Sequence, residues 1–410
     1  MALHVMDEAN RCLGCKNPQC RKGCPIDTPI PEVIRLLKEN KLDEAGWMLF
    51  ENNPLTTVCS LICNHENQCE GHCVLGRKGT PVHFSVIENY ISSTYASKMV
   101  KGPAPSNGKK VAIVGSGPAG ITIAILMARK GYQVTIFESK DKIGGILRYG
   151  IPEFRLPKSV LDDIQYRHLE LKGIKIRPNI RIGDAIGVDE LFRDGYKAIF
   201  IGTGVWKANT LGIKGESFGN VHYAINYLNN PDVYKLGEKV IVIGAGNAAM
   251  DVARTAMRHG SREVTCFSLT KKITASDYEF SYAKLEGVEF EYNRKPVEIV
   301  DEGVIFRDII ENADGSFTEV EGSDSLVTAD SIIISISQGP QNGIVNTTTG
   351  LNASPRGLLI ADECGRTSRP GIFASGDVVV GARTVVEAVA YSKKVAEAMH
   401  EYILSTAEEQ

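Results

Sequence analysis

Four hundred and ten residues, 43% hydrophobic and 23% charged, are enough for two to four globular domains. A net charge of −3 argues against general nucleic-acid binding, and no run approaches the roughly 18 apolar residues of a membrane span. The N-terminus lacks the apolar core of a signal peptide, so a soluble, cytoplasmic protein is expected, in which clustered cysteines favour metal over disulfides.

Eight of the ten cysteines lie within residues 12–73, in a head expected over residues 1–106. The first group reads Cys12-x2-Cys15-x4-Cys20-x3-Cys24-Pro25, the second Cys59-x3-Cys63-x5-Cys69-x3-Cys73. Close thiolate pairs on short loops surround a soft metal without a large fold. The Cys-Pro ending echoes the ferredoxin run, whose fourth cysteine serves the other cluster, although x4 stands where a bacterial ferredoxin has x2. Zinc sites and disulfides are the alternatives; zinc carries no electrons, so a redox setting favours iron–sulfur. Between the groups, PEVIRLLKENKLDEAGWMLFENN has helical periodicity. Pro81 to Tyr95 reads as a helix leading to the linker KGPAPSNGKK at 101–110.

Residues 107–235 open with VAIVGSGPAGITIAILMARKGYQVTIFE, from 111 to 138. A β-branched run ends in Gly115-Ser116-Gly117-Pro118-Ala119-Gly120, an apolar helix follows, and a second strand ends in Glu138. This is a βαβ dinucleotide fingerprint: Gly115 for the tight turn, Gly117 for close approach of a pyrophosphate, Gly120 for helix–strand packing, and Glu138 for a ribose 2′-OH. IGGILRYGIPEFRLP (143–157) is too apolar for a solvated loop and is expected against a ligand, with Gly144, Gly145, Leu147, Arg148 and Ile151 as its candidate contacts. YKAIFIGTGVW (196–206) reads as a buried strand ending in Gly202-Thr203-Gly204, where backbone crosses near a nucleotide or simply turns.

The fingerprint recurs in residues 236–345, at KVIVIGAGNAAMDVARTAMRHG, with Gly244, Gly246, Asn247 and Ala248 in the turn. Two fingerprints imply two dinucleotides. No acid ends the next strand; Lys271 and Lys272 follow it, which suits a 2′-phosphate, or else a solvated basic turn. Residues 287–336 read as short strands and hairpins. In residues 346–410 a strand meets Gly376-Asp377 and a helix starts near Thr384-Val385. Asp377 is placed to accept from a flavin ribityl hydroxyl, and the helix to direct its positive end at the flavin, or Asp377 only caps. The expected fold is α/β: two Rossmann-like domains, the FAD domain discontinuous and the NAD(P) domain inserted, behind a helical domain whose cysteine loops favour iron–sulfur; the family resemblance below implies that this domain carries two [4Fe–4S] clusters.

GSGPAG…Glu138, GGILRYGIPEFRLP, GAGNAAMD and GDVVVGARTVVEAVA, behind the two-part cysteine head, resemble the small subunit of bacterial glutamate synthase. The chain is similar also to the electron-input half of dihydropyrimidine dehydrogenase and to the large subunit of electron-bifurcating, NADH-dependent ferredoxin:NADP oxidoreductases. The resemblance implies that Cys12, Cys15, Cys20 and Cys73 hold one [4Fe–4S] cluster, and that Cys24, Cys63, Cys69 and Glu88 hold the other, leaving Cys59 a spectator. Spacing alone would make Cys59 a ligand and Glu88 a surface acid. One departure stands out: NADP-using relatives carry an Arg-Arg pair where Leu269-Thr270 sits, so NADP and NAD both remain open.

The resemblance further implies an electron-transfer subunit, with NAD(P)H, FAD and the clusters in series, and no side chain acting as catalytic acid or base. It also implies a redox partner subunit in a hetero-oligomer: a glutamate synthase large subunit, a ferredoxin-linked transhydrogenase or a pyrimidine reductase. A stand-alone disulfide reductase would need a close cysteine pair near a nucleotide fold, and Cys266 and Cys364 are isolated. A zinc-stabilised nucleotide sensor is the non-enzymatic alternative.

Overall fold

The computed structural model describes residues 4–96 and 102–408; of the linker expected at 101–110, Lys101 lies outside the described residues. Contacts divide the chain into two compact units. Met1–Arg148, Glu153–Val205 and Gly339–Gln410 form the first, and Tyr149–Pro152 with Trp206–Gln338 the second.

The head of the first unit is built from short helices: α1 (Val5–Arg11), α2 (Gln19–Lys22), α3 (Ile30–Lys38), α4 (Leu42–Asn52), α5 (Thr56–Ile62) and α6 (Phe84–Ala96). The helical stretch read between the cysteine groups is broken once, at Asn40, whose φ of 58° is left-handed and ends α3. Ile30, Val33, Ile34 and Leu37 recur at helical spacing and meet Leu49, Ile87 and Ile91 in the core. Each such side chain contributes about 1.5–3 kcal/mol by leaving water. Cys12, Cys20, Cys24 and Cys73 pack against the edge of this core, so metal loops and hydrophobic core are one structure.

The chain continues through β1 (Lys110–Val114), α7 (Pro118–Arg129), β2 (Gln133–Phe137), α8 (Ile146–Tyr149), α9 (Lys158–Asp163), a π-helical turn (Ile164–Leu169), β3 (Lys175–Arg177), α10 (Val188–Arg193) and β4 (Tyr196–Ile201). The second unit holds β5 (Lys207–Ala208), β6 (Val221–Tyr223), α11 (Ala224–Asn229), β7 (Lys239–Ile243), α12 (Asn247–Arg258), β8 (Glu263–Ser268), α13 (Asp277–Leu285), β9 (Glu289–Tyr292), β10 (Arg294–Val300), β11 (Gly303–Glu311), β12 (Phe317–Glu319), β13 (Ser325–Thr328) and β14 (Ser331–Ile334). The chain then returns through β15 (Gln338–Gly339), α14 (Gly343–Asn346), β16 (Ile372–Ala374), α15 (Asp377–Val380) and α16 (Val385–Glu408).

The first unit's sheet runs β16-β4-β1-β2-β3, parallel throughout. Its inner strands β1 and β4 are near-continuous apolar runs, as in parallel sheets covered on both faces. The second unit's parallel sheet runs β6-β14-β7-β8-β9, beside an antiparallel group in which β11 pairs with β10, β12 and β13. Two boundaries differ from expectation. Residues 206–235 were read with the first unit, yet β6 pairs with β14 in the second, Ile332 opposite Val221. The crossings therefore fall at 206 and 338 rather than 236 and 345. The cause is a pairing between strands about 110 residues apart, which no local pattern announces.

Candidate cofactor sites

Cys12 follows α1 directly, its N–H closing on Ala9 O at 3.2 Å, Cys20 lies within α2, and Cys73 precedes the turn Val74–Arg77. These three and Cys15 line one cavity whose walls include Ile30, Ile34, Val82 and Phe84. Burial pushes the Cys20 thiol up to about 11, and the Cys73, Cys12 and Cys15 thiols around it add to the rise. Among the described residues, no three His, Cys, Asp or Glu side chains converge on a single-ion site. Thiols ringed about an apolar cavity fit a cluster, in which each thiolate takes a different iron.

The remaining cysteines gather nearby. Cys63 is raised first by a hydrogen bond with the Cys59 thiol, then by burial, with Glu88 and Cys69 adding. Cys69 is raised by burial, then by Glu88, Glu70 and Cys24. It also lines the first cavity and so stands between the two groups. Glu88, only 6% exposed on α6, is a buried acid rather than a surface one. Its Oε1 accepts from Thr56 Oγ1 at 2.7 Å. Burial pushes its carboxyl up to about 7, the Thr56 hydroxyl opposing and Glu70 adding. Cys59, the expected spectator, is equally buried and adjoins Cys63.

Sequence reasoning missed three polar groups in this region. Glu70 is buried, with Oε1 accepting from Ser85 N at 2.9 Å and Oε2 lying 3.2 Å from His83 Nδ1. His65 is buried with its Nε2 unpartnered. Thr28 Oγ1 lies 3.2 Å from Cys24 Sγ. Position relative to the cysteines, one residue after Cys69, two after Cys63 and four after Cys24, is the only signal the sequence offered.

In the first parallel sheet, the ends of four strands carry the residues singled out above. β1 leads into Gly115, β2 into Glu138, β4 into Gly202 and β16 towards Gly376-Asp377, all at the carboxyl edge where such sheets bind ligands. Gly115 has φ 95°, and a Cβ there would lie 2.6 Å from Gly202 O, so both its conformation and its neighbour require glycine. A Cβ on Gly117 would meet nothing within 4 Å. That open space lies at the start of α7, where Pro118 and Ala119 begin the helix and no side chain caps the N–H groups, a cradle that fits a pyrophosphate. Gly120 packs so closely that a Cβ would reach 2.0 Å from Gly115 O. Gly144 N donates to Ser116 O at 3.0 Å, and Gly145 approaches the Gly117 backbone.

Glu138 is 5% exposed and well occupied. It accepts from Ser116 N at 2.9 Å, Ser116 Oγ at 2.5 Å, Lys140 N at 2.8 Å and Ser139 Oγ at 3.2 Å. The acid thus ties the end of β2 to the glycine turn. Leu147 is fully buried, and Arg148 Nη2 pairs with Asp162 at 2.6 Å. Ile151 falls in the segment grouped with the second unit, while Thr203 and Gly204 follow β4. Asp377 accepts from Arg383 N at 3.2 Å; burial pushes its carboxyl up to about 6, the Arg383 N–H opposing and Glu387 adding. Thr384 forms a reciprocal capping box: Glu387 Oε2 accepts from Thr384 N at 3.0 Å, and Thr384 Oγ1 from Glu387 N at 3.4 Å, so α16 starts at Val385.

In the second unit, β7 runs into Gly244 and Gly246, and α12 starts at Asn247-Ala248. A Cβ on Gly244 would lie 2.2 Å from Ser335 O, just past β14. Asn247 Oδ1 accepts from Ser276 N at 2.8 Å, while Thr274 and Ala275 N–H groups bond to Ala245 O. These bonds fasten the 270–276 loop over the glycine turn. Lys271 and Lys272 lie exposed at its start, beyond Ser268 at the end of β8.

Glycine turns at the carboxyl edges of two parallel sheets fit dinucleotide binding, as in nucleotide-linked oxidoreductases. Residues 109–392 match the family described as pyridine nucleotide-disulphide oxidoreductase, and residues 2–100 that described as dihydropyrimidine dehydrogenase domain II, 4Fe-4S cluster. The fold is shared with FprA of Mycobacterium tuberculosis (TM-score 0.61, 18% identity, 75% of this chain and 86% of that one). Thioredoxin reductase of T. acidophilum shares it too (TM-score 0.55, 24% identity, 72% and 98%). Along nearly the whole chain, 32% of 434 residues are identical to the glutamate synthase [NADPH] small chain of Escherichia coli, covering 97% of this chain and 91% of that one. The NAD-dependent dihydropyrimidine dehydrogenase subunit PreT of the same species is 30% identical over 411 residues, covering 98% and 95%. The chain belongs to the glutamate synthase small-subunit family: it is an iron–sulfur flavoprotein oxidoreductase that uses FAD and a nicotinamide cofactor. Among the described residues no helix is long and apolar enough to cross a membrane.

Proposed function

We propose that this chain is the electron-input subunit of a hetero-oligomeric oxidoreductase and holds two [4Fe–4S] clusters, one FAD and one NADP(H) or NAD(H). When bound, FAD exchanges hydride with the nicotinamide and the clusters carry single electrons to or from a partner subunit. The observation that carries this reading is the meeting of Cys73, from the second cysteine group, with Cys12, Cys15 and Cys20 of the first around one cavity. Cys24, Cys63, Cys69 and Glu88 would hold the second cluster, supported by their mutual proximity and by the burial of Glu88 among thiols.

In this reading the α7 N-terminus and Gly117 receive the FAD pyrophosphate, while Glu138 orients the adenosine end directly or through Ser116. Asp377 holds the ribityl chain. The start of α16 offers its positive end to the flavin ring, and the capping box at Thr384 fixes where that end lies. The α12 turn receives the nicotinamide cofactor. The absence of an acid after β8, with Lys271 and Lys272 exposed beside the turn, favours NADP(H). Partial burial limits the access of water to the thiolates, and hydrogen bonds to them tune the cluster potentials.

Protein purified without oxygen should contain two clusters' worth of iron per flavin. Glu88→Ala should remove or alter one cluster's EPR signal while FAD is retained. Zinc in place of iron would overturn the relay, and an unchanged spectrum and iron content in Glu88→Ala would overturn the Glu88 assignment.

A further inference from the structure

Cys24 is followed by Pro25 and a tight turn in which Asp27 N donates to Cys24 O at 2.9 Å. Asp27 has φ 55°, and Arg21 pins it with two bonds, Nε at 2.9 Å and Nη2 at 2.8 Å. The turn folds Thr28, 4% exposed, back onto its own cysteine, with Oγ1 3.2 Å from Cys24 Sγ. Thr28 Oγ1 also accepts from Asn52 Nδ2 at 3.2 Å. Asn52, at the end of α4, accepts twice from Lys393 Nζ, through its backbone O at 2.8 Å and its Oδ1 at 3.2 Å. Lys393 stands on α16, 341 residues further along the chain.

An iron-bound thiolate has no proton to give, so Thr28 must be the donor to Cys24. Its hydroxyl oxygen is then free to accept from the Asn52 amide, whose oxygen in turn accepts from the lysine. Every arrow points one way, from ammonium to sulfur, and bonds aligned in series polarise one another. Resting on the reading that Cys24 ligates a cluster, we propose that Lys393, Asn52 and Thr28 form a one-way donor chain that raises the reduction potential of the Cys24-ligated cluster. Thr28 is the contacting residue; Asn52 and Lys393 are positioning residues.

The physical reason is charge. A one-electron reduction makes the cluster and its thiolates more negative, so a donated hydrogen bond is stronger in the reduced state. The line of bonds also runs from the head to the helix that begins at Val385, so the cluster setting depends on the contact of Lys393 with Asn52.

The test is an anaerobic, EPR-monitored redox titration of the holoenzyme. Thr28→Val keeps the shape and removes the donor. It should lower the midpoint of one cluster by about tenfold in its redox equilibrium, ~59 mV for one electron, and leave the other cluster unmoved. Thr28→Ser should restore it, and Lys393→Met should shift the same cluster in the same direction by less. Two intact clusters with unchanged potentials in Thr28→Val and Lys393→Met would overturn the donor chain while leaving the two-cluster reading standing. Equal shifts for Thr28→Val and Thr28→Ser would also overturn it, since packing would then be the cause. If Thr28→Val loses its cluster, Lys393→Met decides alone, and no shift there overturns the proposal. Cys24→Ala is the control on the underlying assignment, since alanine offers no donor atom to iron: both EPR signals and the full iron content surviving in it would overturn the ligand reading, and the donor chain with it.

Discussion

At the scale of single residues, charge and backbone geometry decide what each position does. Lys271 and Lys272 are exposed in a turn held over the α12 glycines by Asn247. If they bind a 2′-phosphate, replacing both with alanine should raise KM for NADPH at least tenfold and spare NADH, since only the former carries that phosphate. Steady-state kinetics with both cofactors checks this, and equal loss for both, or none, counts against it. Gly115 is constrained from two directions. Its φ of 95° disfavours any side chain, and Gly202 O leaves no room for one. Gly115→Ala should therefore cost more than about 1 kcal/mol and reduce flavin content, measured as FAD per chain by absorbance.

At the scale of elements, the packing of α4 against α7 and the π-helical turn carries a pH signature. The Phe50 ring of α4 stacks on His168 of the π-helical turn, with centroids 4.7 Å apart, and Arg129 of α7 lies over the same ring at 4.6 Å. His168 is buried and its Nδ1 has no hydrogen-bond partner. Burial pushes it from its ordinary 6.5 down to about 4; Lys172, Arg129 and Arg167 push the same way and Asp163 opposes them. Lys393 and Glu51 are further charges beside Arg129. The unfolded chain takes up the proton as pH falls below 6.5, while the folded one does not until about 4. Stability is therefore unaffected above that window and lost through it, by about 2 kcal/mol at pH 5. Chemical denaturation of the wild type and His168→Leu between pH 7 and 5 checks this; the variant should show the shallower decline.

At the scale of the whole molecule, the two units depend differently on bound groups. The head has short helices and cysteine loops around a cavity lined by thiols, so bound iron is expected to supply part of its stability. The second unit has its own core around β7, α12 and β8, from Val240 and Val242 to Ala253 and Val264. Chelating the iron should raise amide exchange in residues 5–96 and leave residues 239–268 unchanged, as hydrogen–deuterium exchange by mass spectrometry would show.

Much of this was legible in the chain itself. Strands ending in glycine turns, an acid at 138, and cysteines at short spacing are local patterns, and local patterns dictate local conformation. The β1–α7–β2 and β7–α12–β8 units follow from them because apolar runs and glycines leave few other solutions. The mixed grouping of cysteines came from resemblance, not spacing, because thiols some 50 residues apart meet only once the head has packed. The same holds for β6, which joined the second sheet through a distant partner, and for Glu88, which is buried on α6 where Thr56 of α5 donates to it. Thr28, Asn52 and Lys393 show the limit most plainly. Each is an ordinary polar residue in its own segment, and only the tertiary fold, by bringing α16 to the end of α4, lines them up on Cys24. Sequence by itself determined the elements and the kinds of cofactor; the tertiary structure decided which side chains meet, because burial and hydrogen bonding act between residues the chain keeps far apart.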